Sequence, residues 1–439
     1  MTLPRLLRFG LRQFAAGMLS VLAVGILNRV MKVEMGLGLA LVAVVVGAHY
    51  FAAPIAIPLG HRSDRRPLFG YHRTPYILAG AALTMLATVT APHAALWIEA
   101  AGGALWAAAL GALVFLALGV GIYTAGTAYL SLLADLTPEA ERGRAVSIVW
   151  SMMMFGILAG VFLGVGLLDD YSPARLIRLF EITALAVGAL TVVALWGQER
   201  RAAVSPSEQA TDLGRAWSLL RAAPQTARFF VFLTGSILFL FLQQVVLEPF
   251  GGDVFGMSIR QTTLFNAWQM LGVLSGMAVA GAWLARRLGD RLTAGIGLAL
   301  AAAAFGGLGG SALLRQPGLV TPSIVGMGLG MGLFNVGGLA MMMGMTTQAD
   351  RGAYMGAWTL AQALANGLAS VGGGGLQDFG ARLLGSEAAA YGGVFLIEAA
   401  GLAGCILLLR SISVAEFRRQ ASRKPVASAE TAWPRAPAR

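Results

Sequence analysis

Apolar stretches of about 20 residues recur along almost the whole chain, and short polar segments separate them. Each stretch is long enough for one helix to cross a bilayer, which takes about 20 residues. Twelve such stretches lie near 11–29, 37–59, 76–96, 107–133, 144–168, 176–196, 229–250, 262–285, 292–314, 319–345, 353–377 and 390–410. Because 57% of the residues are hydrophobic and 12% are charged, one buried core cannot absorb this chain. The sequence therefore predicts an all-α, polytopic membrane protein with twelve transmembrane helices.

The Lys and Arg residues are divided unevenly between the two predicted membrane faces. The segments on the side of the N-terminus hold 25 of the 32, and the other side holds seven. By the positive-inside rule, the richer side is cytoplasmic. Twelve spans also place both termini on one side, so charge and span count agree on cytoplasmic termini. The net charge of +11 then reflects topology, and no nucleic-acid partner is expected.

The polar segment 197–228 is the longest between two predicted spans and divides them six and six. The predicted organisation is a six-helix bundle over 1–196, a cytoplasmic linker over 197–228 and a second bundle over 229–421. The tail 422–439 is rich in Ala, Pro, Ser and Arg, a composition that predicts disorder.

The two halves resemble each other. Three pairs of residues correspond between them: Arg142 and Arg351, Asp169 and Asp378, and Glu181 and Glu398. The first two pairs share an offset of 209 residues, and the third pair lies inside spans six and twelve. Repeated halves with a binding site between them are the architecture of secondary transporters.

The segment after the second span, GHRSDR at 60–65, resembles the signature of the major facilitator superfamily. A weaker copy, GDR at 289–291, follows span eight. The resemblance implies a cytoplasmic latch, in which an Asp at a helix end pairs with an Arg of another bundle in one conformation. The alternative is ordinary cytoplasmic loop charge. The candidate latch residues are Gly60, Asp64, Arg65, Arg142, Asp290, Arg291 and Arg351.

Four further segments carry a closer resemblance. They are LNRVM at 27–31, YHRTPYI at 71–77, LEPFGG at 247–252 and AYMGAW at 353–358. Together they are similar to the PucC/LhaA family of light-harvesting complex assembly proteins from phototrophic bacteria. The similarity covers the chain outside the linker and the tail.

This resemblance implies a role in antenna assembly, with bacteriochlorophyll as cargo. It implies light-harvesting antenna polypeptides and the reaction-centre complex as partners, and the bacterial inner, intracytoplasmic photosynthetic membrane as the location. One alternative is a major facilitator secondary transporter of a small, weakly charged or apolar solute. Another is a scaffold that binds antenna helices and carries no cargo.

Polar side chains inside or at the ends of the predicted spans mark a candidate pigment- or substrate-binding site, because such groups are costly within a membrane. They are His49, Asn28, Gln243, Gln244, Glu248, Asn266, Gln269, Asn335, Gln362 and Asn366. The alternative for most of them is hydrogen bonding between helices. Glu248 lies at the end of a predicted span, where we expect water to solvate it.

His49 is the only histidine inside a predicted span. A chlorin Mg²⁺ keeps an open axial position, which a neutral imidazole can fill. The alternative is a histidine that is hydrogen-bonded to a carbonyl or hydroxyl of a neighbouring helix.

Enzyme chemistry is not indicated by any motif in the sequence. There is no nucleotide-binding loop and no nucleophile with a matching base. The single cysteine, Cys405, excludes an internal disulfide and a Cys-based metal site. We therefore expect no catalytic residues, no covalently bound cofactor and no metal site beyond the axial ligand proposed for His49.

Overall fold

The computed structural model describes residues 2–55, 67–138, 141–168, 170–199, 224–344 and 351–413. Within these ranges, residues 142, 143, 147, 224, 226, 344 and 351–360 are described by their backbone alone. The described chain is helical, apart from turns and one isolated bridge between Leu68 and Tyr71. This confirms the all-α prediction.

The described residues of the first half form six helices. They are α1 (Leu3–Glu34), α2 (Leu39–Ile55), α3 (Thr74–Ala100), α4 (Leu105–Leu136), α5 (Arg142–Leu167) and α6 (Pro173–Leu195). The second half begins with α7, which has two parts, Pro224–Phe241 and Leu247–Phe255. It continues with α8 (Ile259–Leu288), α9 (Asp290–Leu314), α10 (Val320–Gly344), α11 (Arg351–Leu384) and α12 (Glu387–Leu409).

Ten of the described helices are long and apolar enough to cross a membrane. The shorter apolar helix α2 and the 34-residue helix α11 lie where the second and eleventh spans are predicted. Large apolar side chains on the outer surfaces are exposed, including Phe155, Leu185 and Leu407 at 60–66%. A lipid bilayer is the solvent that such surfaces require.

Several spans depart from the regular helices that the sequence predicts. α1 contains two π-helical stretches, Val21–Ile26 and Val30–Glu34, and α2 becomes a 3-10 helix from Ala48 to Ile55. α7 is interrupted by a 3-10 turn over Leu242–Val245. These irregular segments of α1, α2 and α7 all lie at the contact between the two halves.

Small residues set the closest helix contacts. A Cβ atom on Gly156 of α5 would lie 1.9 Å from the carbonyl oxygen of Phe14 in α1. Gly160 and Gly164 lie on the same stripe and also face α1, at Met18 and Ile26. The four-residue spacing of these glycines therefore serves helix packing, as it does in other membrane proteins.

The segment after α6 folds back onto the first half. The Glu199 carboxylate accepts hydrogen bonds from the backbone N–H groups of His72, Arg73 and Thr74, at 2.7–3.0 Å. These groups lie at the N-terminus of α3, where a carboxylate interacts favourably with the helix dipole. Arg5 donates to Gln198 at 2.6 Å. The first residues of the predicted linker thus contact the first bundle, and the second bundle begins at Pro224.

Candidate functional site

The two halves meet at the end of the molecule that lies away from Thr2 and residue 413. We call this contact surface the seam, formed by residues 25–51 of α1 and α2, and by 242–263 and 367–378 of α7, α8 and α11. Ser370 of α11 donates to the Ala43 carbonyl oxygen of α2 at 3.4 Å, and a Cβ on Gly374 would lie 2.6 Å from the Leu39 carbonyl oxygen. The backbones of α2 and α11 therefore approach closely.

Asp378 caps a helix of the opposite half. Its two carboxylate oxygens accept from the N–H groups of Leu39 and Ala40, each at 2.9 Å. These are the first N–H groups of α2, which have no partner within the helix. The N-cap residue, Gly38, has no side chain to supply one, and Asp378 performs that role from α11. The cap therefore ties the two halves together.

The break in α7 is satisfied by side chains from two other helices. Pro249 has no N–H, so the Val245 carbonyl lacks its partner one turn later. Asn28 of α1 donates its Nδ2 to that carbonyl oxygen at 2.6 Å. On the other side of the break, the Gln243 N–H donates to Glu398 of α12 at 2.5 Å. The break is stable in an apolar setting because side chains hydrogen-bond both backbone groups that lack a partner within the helix.

His49 lies beside a side-chain hydrogen bond that crosses the seam. Its Nδ1 lies 2.6 Å from the Val46 carbonyl oxygen, and its ring lies 3.9 Å from the Tyr50 ring, centroid to centroid. Tyr50 then donates its hydroxyl to Gln244 of α7 at 3.1 Å. Because a carbonyl only accepts, Nδ1 carries the proton and Nε2 keeps a lone pair. Nε2 has no hydrogen-bond partner in the part of the chain that the structure describes.

Glu248 is buried, so the prediction that water solvates it is wrong. It is 4% exposed, and its Oε1 accepts from Nδ2 of Asn266 in α8 at 2.6 Å. α1 covers it at Gly25, which has no side chain and therefore lets the carboxyl approach its Cα. Position along the sequence places Glu248 near the end of a span, but the sequence does not show that α1 covers that end.

The remaining candidates are dispersed. Gln269 of α8 contacts the sulfur of Met331 in α10 at 3.4 Å. Asn335 of α10 is exposed. Gln362 and Asn366 of α11 are partly buried. The structure therefore brings together a smaller set at the seam: Asn28, His49, Gln243, Gln244, Glu248 and Asn266.

The carboxylates predicted inside spans six and twelve have different surroundings. Glu398 is fully buried and completes the break in α7, whereas Glu181 is exposed on α6. The repeat therefore does not extend to the roles of these two carboxylates.

Most of the candidate latch residues lack described side chains. Gly60, Asp64 and Arg65 fall outside the described residues, and Arg142 and Arg351 are described by their backbone alone. Gly289 has φ +79°, a conformation that favours glycine and allows the tight turn between α8 and α9. Asp290 is exposed after this turn, and Arg291 donates to the Arg410 carbonyl oxygen at 2.6 Å within the second half. The latch stays a prediction.

Charged residues surround the outer edge of the seam, and the site prediction missed them. Lys32 of α1 lies 3.8 Å from Asp253 of α7 and 3.6 Å from Glu387 of α12. Tyr391 donates to Asp253 at 2.7 Å. Such partly exposed pairs contribute about 0–1 kcal/mol each. The signal available in the sequence was Lys32, a cation on the face that is poor in Lys and Arg.

Tyr171 lies in the turn between α5 and α6, and two carboxylates affect its pKa. Burial, with the Glu99 and Glu34 carboxylates, raises the pKa of Tyr171 to about 12. The phenol is therefore neutral at any physiological pH.

An apolar groove of about 820 Å³ opens between α3 and α4 on the first half. Its floor is made of small buried residues, among them Ala87, Ala94 and Gly111. Trp97 and Trp106 stand at one end and are 63% and 65% exposed. Trp is enriched at the level of lipid headgroups, so this end of the groove marks a membrane interface.

Comparison with known sequences gives one family. Residues 26–417 match the family model described as "PUCC protein". A Rhodobacter capsulatus protein described as "Uncharacterized protein in puhA-bchM intergenic region" is 34% identical over 391 residues, which cover 86% of this chain and 81% of that protein. The "Bacteriochlorophyll synthase 44.5 kDa chain" of the same species is 33% identical over 410 residues, covering 90% and 92%. "Protein PucC" of Rhodovulum sulfidophilum is 32% identical over 387 residues, covering 86% and 85%.

Comparison with solved structures gives the fold. The nucleoside transporter NupG, in a mutant form, has a TM-score of 0.71 at 14% identity, over 93% of this chain and 99% of that one. A bacterial homologue of the human lysosomal transporter Spinster has a TM-score of 0.68 at 14% identity, over 96% and 98%. A D-xylose–proton symporter has a TM-score of 0.67 at 15% identity, over 90% and 96%. The major facilitator-like fold predicted from the sequence is confirmed.

Proposed function

Because this chain belongs to the PucC family, we propose that it is a membrane assembly factor for photosynthetic antenna complexes, which binds bacteriochlorophyll and delivers it to light-harvesting polypeptides. The name of one relative associates that protein with bacteriochlorophyll synthase. In this proposal the chain holds and passes on the pigment and performs no catalytic step itself.

The single observation that carries the pigment-binding part is the geometry of His49. Its Nδ1 is engaged by the Val46 carbonyl oxygen, which leaves Nε2 as the basic nitrogen. Metal-ligating histidines commonly have their second nitrogen fixed in this way. An imidazole held so at the seam suits the axial position of a chlorin Mg²⁺.

Antenna polypeptides are the proposed partners within the membrane, together with the reaction-centre complex. The groove between α3 and α4 supports this part of the proposal. Helices associate in membranes where small residues let their backbones approach, and the groove floor has that composition.

The second candidate function is secondary transport of a small, weakly charged or apolar solute. The fold favours it, since the structural neighbours include transporters described for nucleosides and for D-xylose. The side chains of Tyr50 and Gln244, next to His49, offer groups that hydrogen-bond a solute of this kind.

An absorption spectrum of the gently purified protein separates the two candidates. If the chain binds bacteriochlorophyll, we expect pigment absorbance to copurify with the protein in about a one-to-one ratio or less. A screen of solutes for thermal stabilisation is the counterpart measurement, because a ligand that binds the folded state raises its stability. Stabilisation by a solute, with no pigment bound, would favour transport and contradict the assembly proposal.

For location, we propose the bacterial inner, intracytoplasmic photosynthetic membrane, with both termini in the cytoplasm. The excess of Lys and Arg on the side of the termini supports this orientation. Reporter fusions after residues 205 and 430 should both give a cytoplasmic signal. A periplasmic signal at either place would show that the orientation or the number of spans is different.

A further inference from the structure

Glu248 lies between the two halves with one carboxylate oxygen unsatisfied. Its Oε1 accepts from Asn266 of α8, and a Cβ atom on Gly25 of α1 would lie 2.2 Å from that oxygen. Its Oε2 is buried and has no hydrogen-bond partner among the residues that the structure describes. Any side chain at residue 25 would displace the carboxyl, so this contact exists only while α1 and α7 are together.

Three other buried polar atoms without a described partner lie on the helices that enclose Glu248. They are Asn28 Oδ1 and Arg29 Nε of α1, and Thr263 Oγ1 of α8. A closed seam therefore contains several polar groups that neither protein nor bulk water satisfies. Such unsatisfied groups are unfavourable when neutral, and more so when charged.

The cations near Glu248 are committed to other groups. Arg29 of α1 donates to Glu34 at 2.6 Å and to the Met257 carbonyl oxygen at 2.8 Å. Lys32, also of α1, faces Asp253 and Glu387. Within the described residues, no Lys or Arg lies at salt-bridge distance from Glu248.

The acidic and phenolic groups around this region lie on α1, α7, α11 and α12, and include Glu34 of α1 and Asp378 of α11. Asp253 lies on the same helix part as Glu248, while Tyr391 and Glu387 of α12 pair with Asp253 and Lys32. Glu398 of α12 is bonded to the Gln243 N–H. The Asp253 and Glu387 carboxylates add negative charge around the seam and disfavour another ionised carboxyl within it.

We propose that Glu248 is a proton-binding site, which takes up a proton when the seam closes and releases it when the seam opens. In the closed seam an ionised Glu248 is desolvated without a counter-ion in contact, which costs several kcal/mol, whereas the protonated carboxyl avoids that cost. In the open state water reaches the carboxyl and stabilises its charge. The inference rests on the seam alone and holds whether the cargo is a pigment or a solute.

The sign of the pH dependence follows from linkage. The closed state binds one proton more than the open state, so lowering the pH favours closure and raising the pH favours opening. By the same reciprocity, anything that holds the seam closed increases the proton affinity of Glu248.

Distance measurements on the full-length protein in lipid nanodiscs test this proposal. Spin labels are attached through Ala174→Cys and Gln316→Cys, two exposed positions at the seam end of opposite halves, in a Cys405→Ser background. Between about pH 5 and pH 9, the wild-type ratio of the short-distance to the long-distance population should fall at least about fivefold. Glu248→Gln keeps a neutral acceptor for Asn266 and should hold the low-pH ratio throughout.

Glu398→Gln is the matched control, because Glu398 is also buried but bonds within the second half. Its pH dependence should equal that of the wild type. A wild-type ratio that does not change with pH, or an unchanged pH dependence in Glu248→Gln, overturns the proposal. If Glu248→Gln does not fold, infrared spectra of the Glu398→Gln variant are the alternative measurement. The intensity of the C=O band of a protonated carboxyl should rise and fall with the short-distance population as the pH changes. Absence of such a band overturns the proposal.

Discussion

Replacing Gly156 by Ala should destabilise the first half, whereas the same replacement at Gly166 on the same helix should be harmless. At residue 156 the new methyl group would lie 1.9 Å from the Phe14 carbonyl oxygen and 2.6 Å from its carbon. These are backbone atoms of α1, which cannot rotate away, so α1 must move from α5. At residue 166 nothing lies within 4 Å of the added Cβ.

Both variants replace Gly by Ala in α5, so the gain in helix propensity, about 1 kcal/mol, is the same in each and cancels in the comparison. Overpacking costs about 1–3 kcal/mol or more. We therefore expect the melting temperature of purified Gly156→Ala to fall below that of the wild type and that of Gly166→Ala to stay level or rise. Equal melting temperatures for the two variants would show that α1 and α5 are not in close contact.

Replacing His49 by Leu should abolish pigment binding while the protein still folds. Leu keeps bulk and removes the Nε2 lone pair. The bond that is lost, from Nδ1 to the Val46 carbonyl oxygen, lies within one helix and contributes about 1 kcal/mol. The amount of folded protein should therefore change little. The measurement is pigment absorbance per mole of purified protein, which we expect to drop about tenfold or more.

His93→Leu is the control for His49→Leu, because His93 is also a helical histidine but lies on α3, away from the seam. This variant should retain the wild-type spectrum. If wild type and His49→Leu carry equal pigment with identical spectra, His49 is not the ligand. Equal loss in both variants would point to a general effect on folding, which the yield of folded protein would reveal.

The all-α architecture and the order of the described helices followed from hydropathy, because a span must satisfy its own backbone and be apolar over about 20 residues. The interruptions did not follow. Pro249 showed that α7 was weak near Val245, but the residues that repair the break, Asn28 and Glu398, are distant in sequence. Their partnership depends on tertiary packing, which hydropathy does not contain.

The candidate site was predicted in part. A polar residue inside a span indicates that something polar lies nearby, and this logic found His49, Asn28 and Gln244. It did not find Tyr50, which joins His49 to Gln244, because a tyrosine next to a span centre is unremarkable by composition. It also misplaced Glu248, because solvation at a helix end depends on which neighbour covers that end.

The cap that Asp378 places on α2 has a consequence for the order in which the chain is made. Asp378 lies 339 residues after Leu39, which at about 5–20 residues per second is a delay of roughly 17–68 s during synthesis. Throughout that interval α2 is already made, while the N–H groups of Leu39 and Ala40 lack their native acceptor. A chain that stops before residue 378 therefore lacks this cap, and α2 acquires it only when nearly the whole protein has left the ribosome.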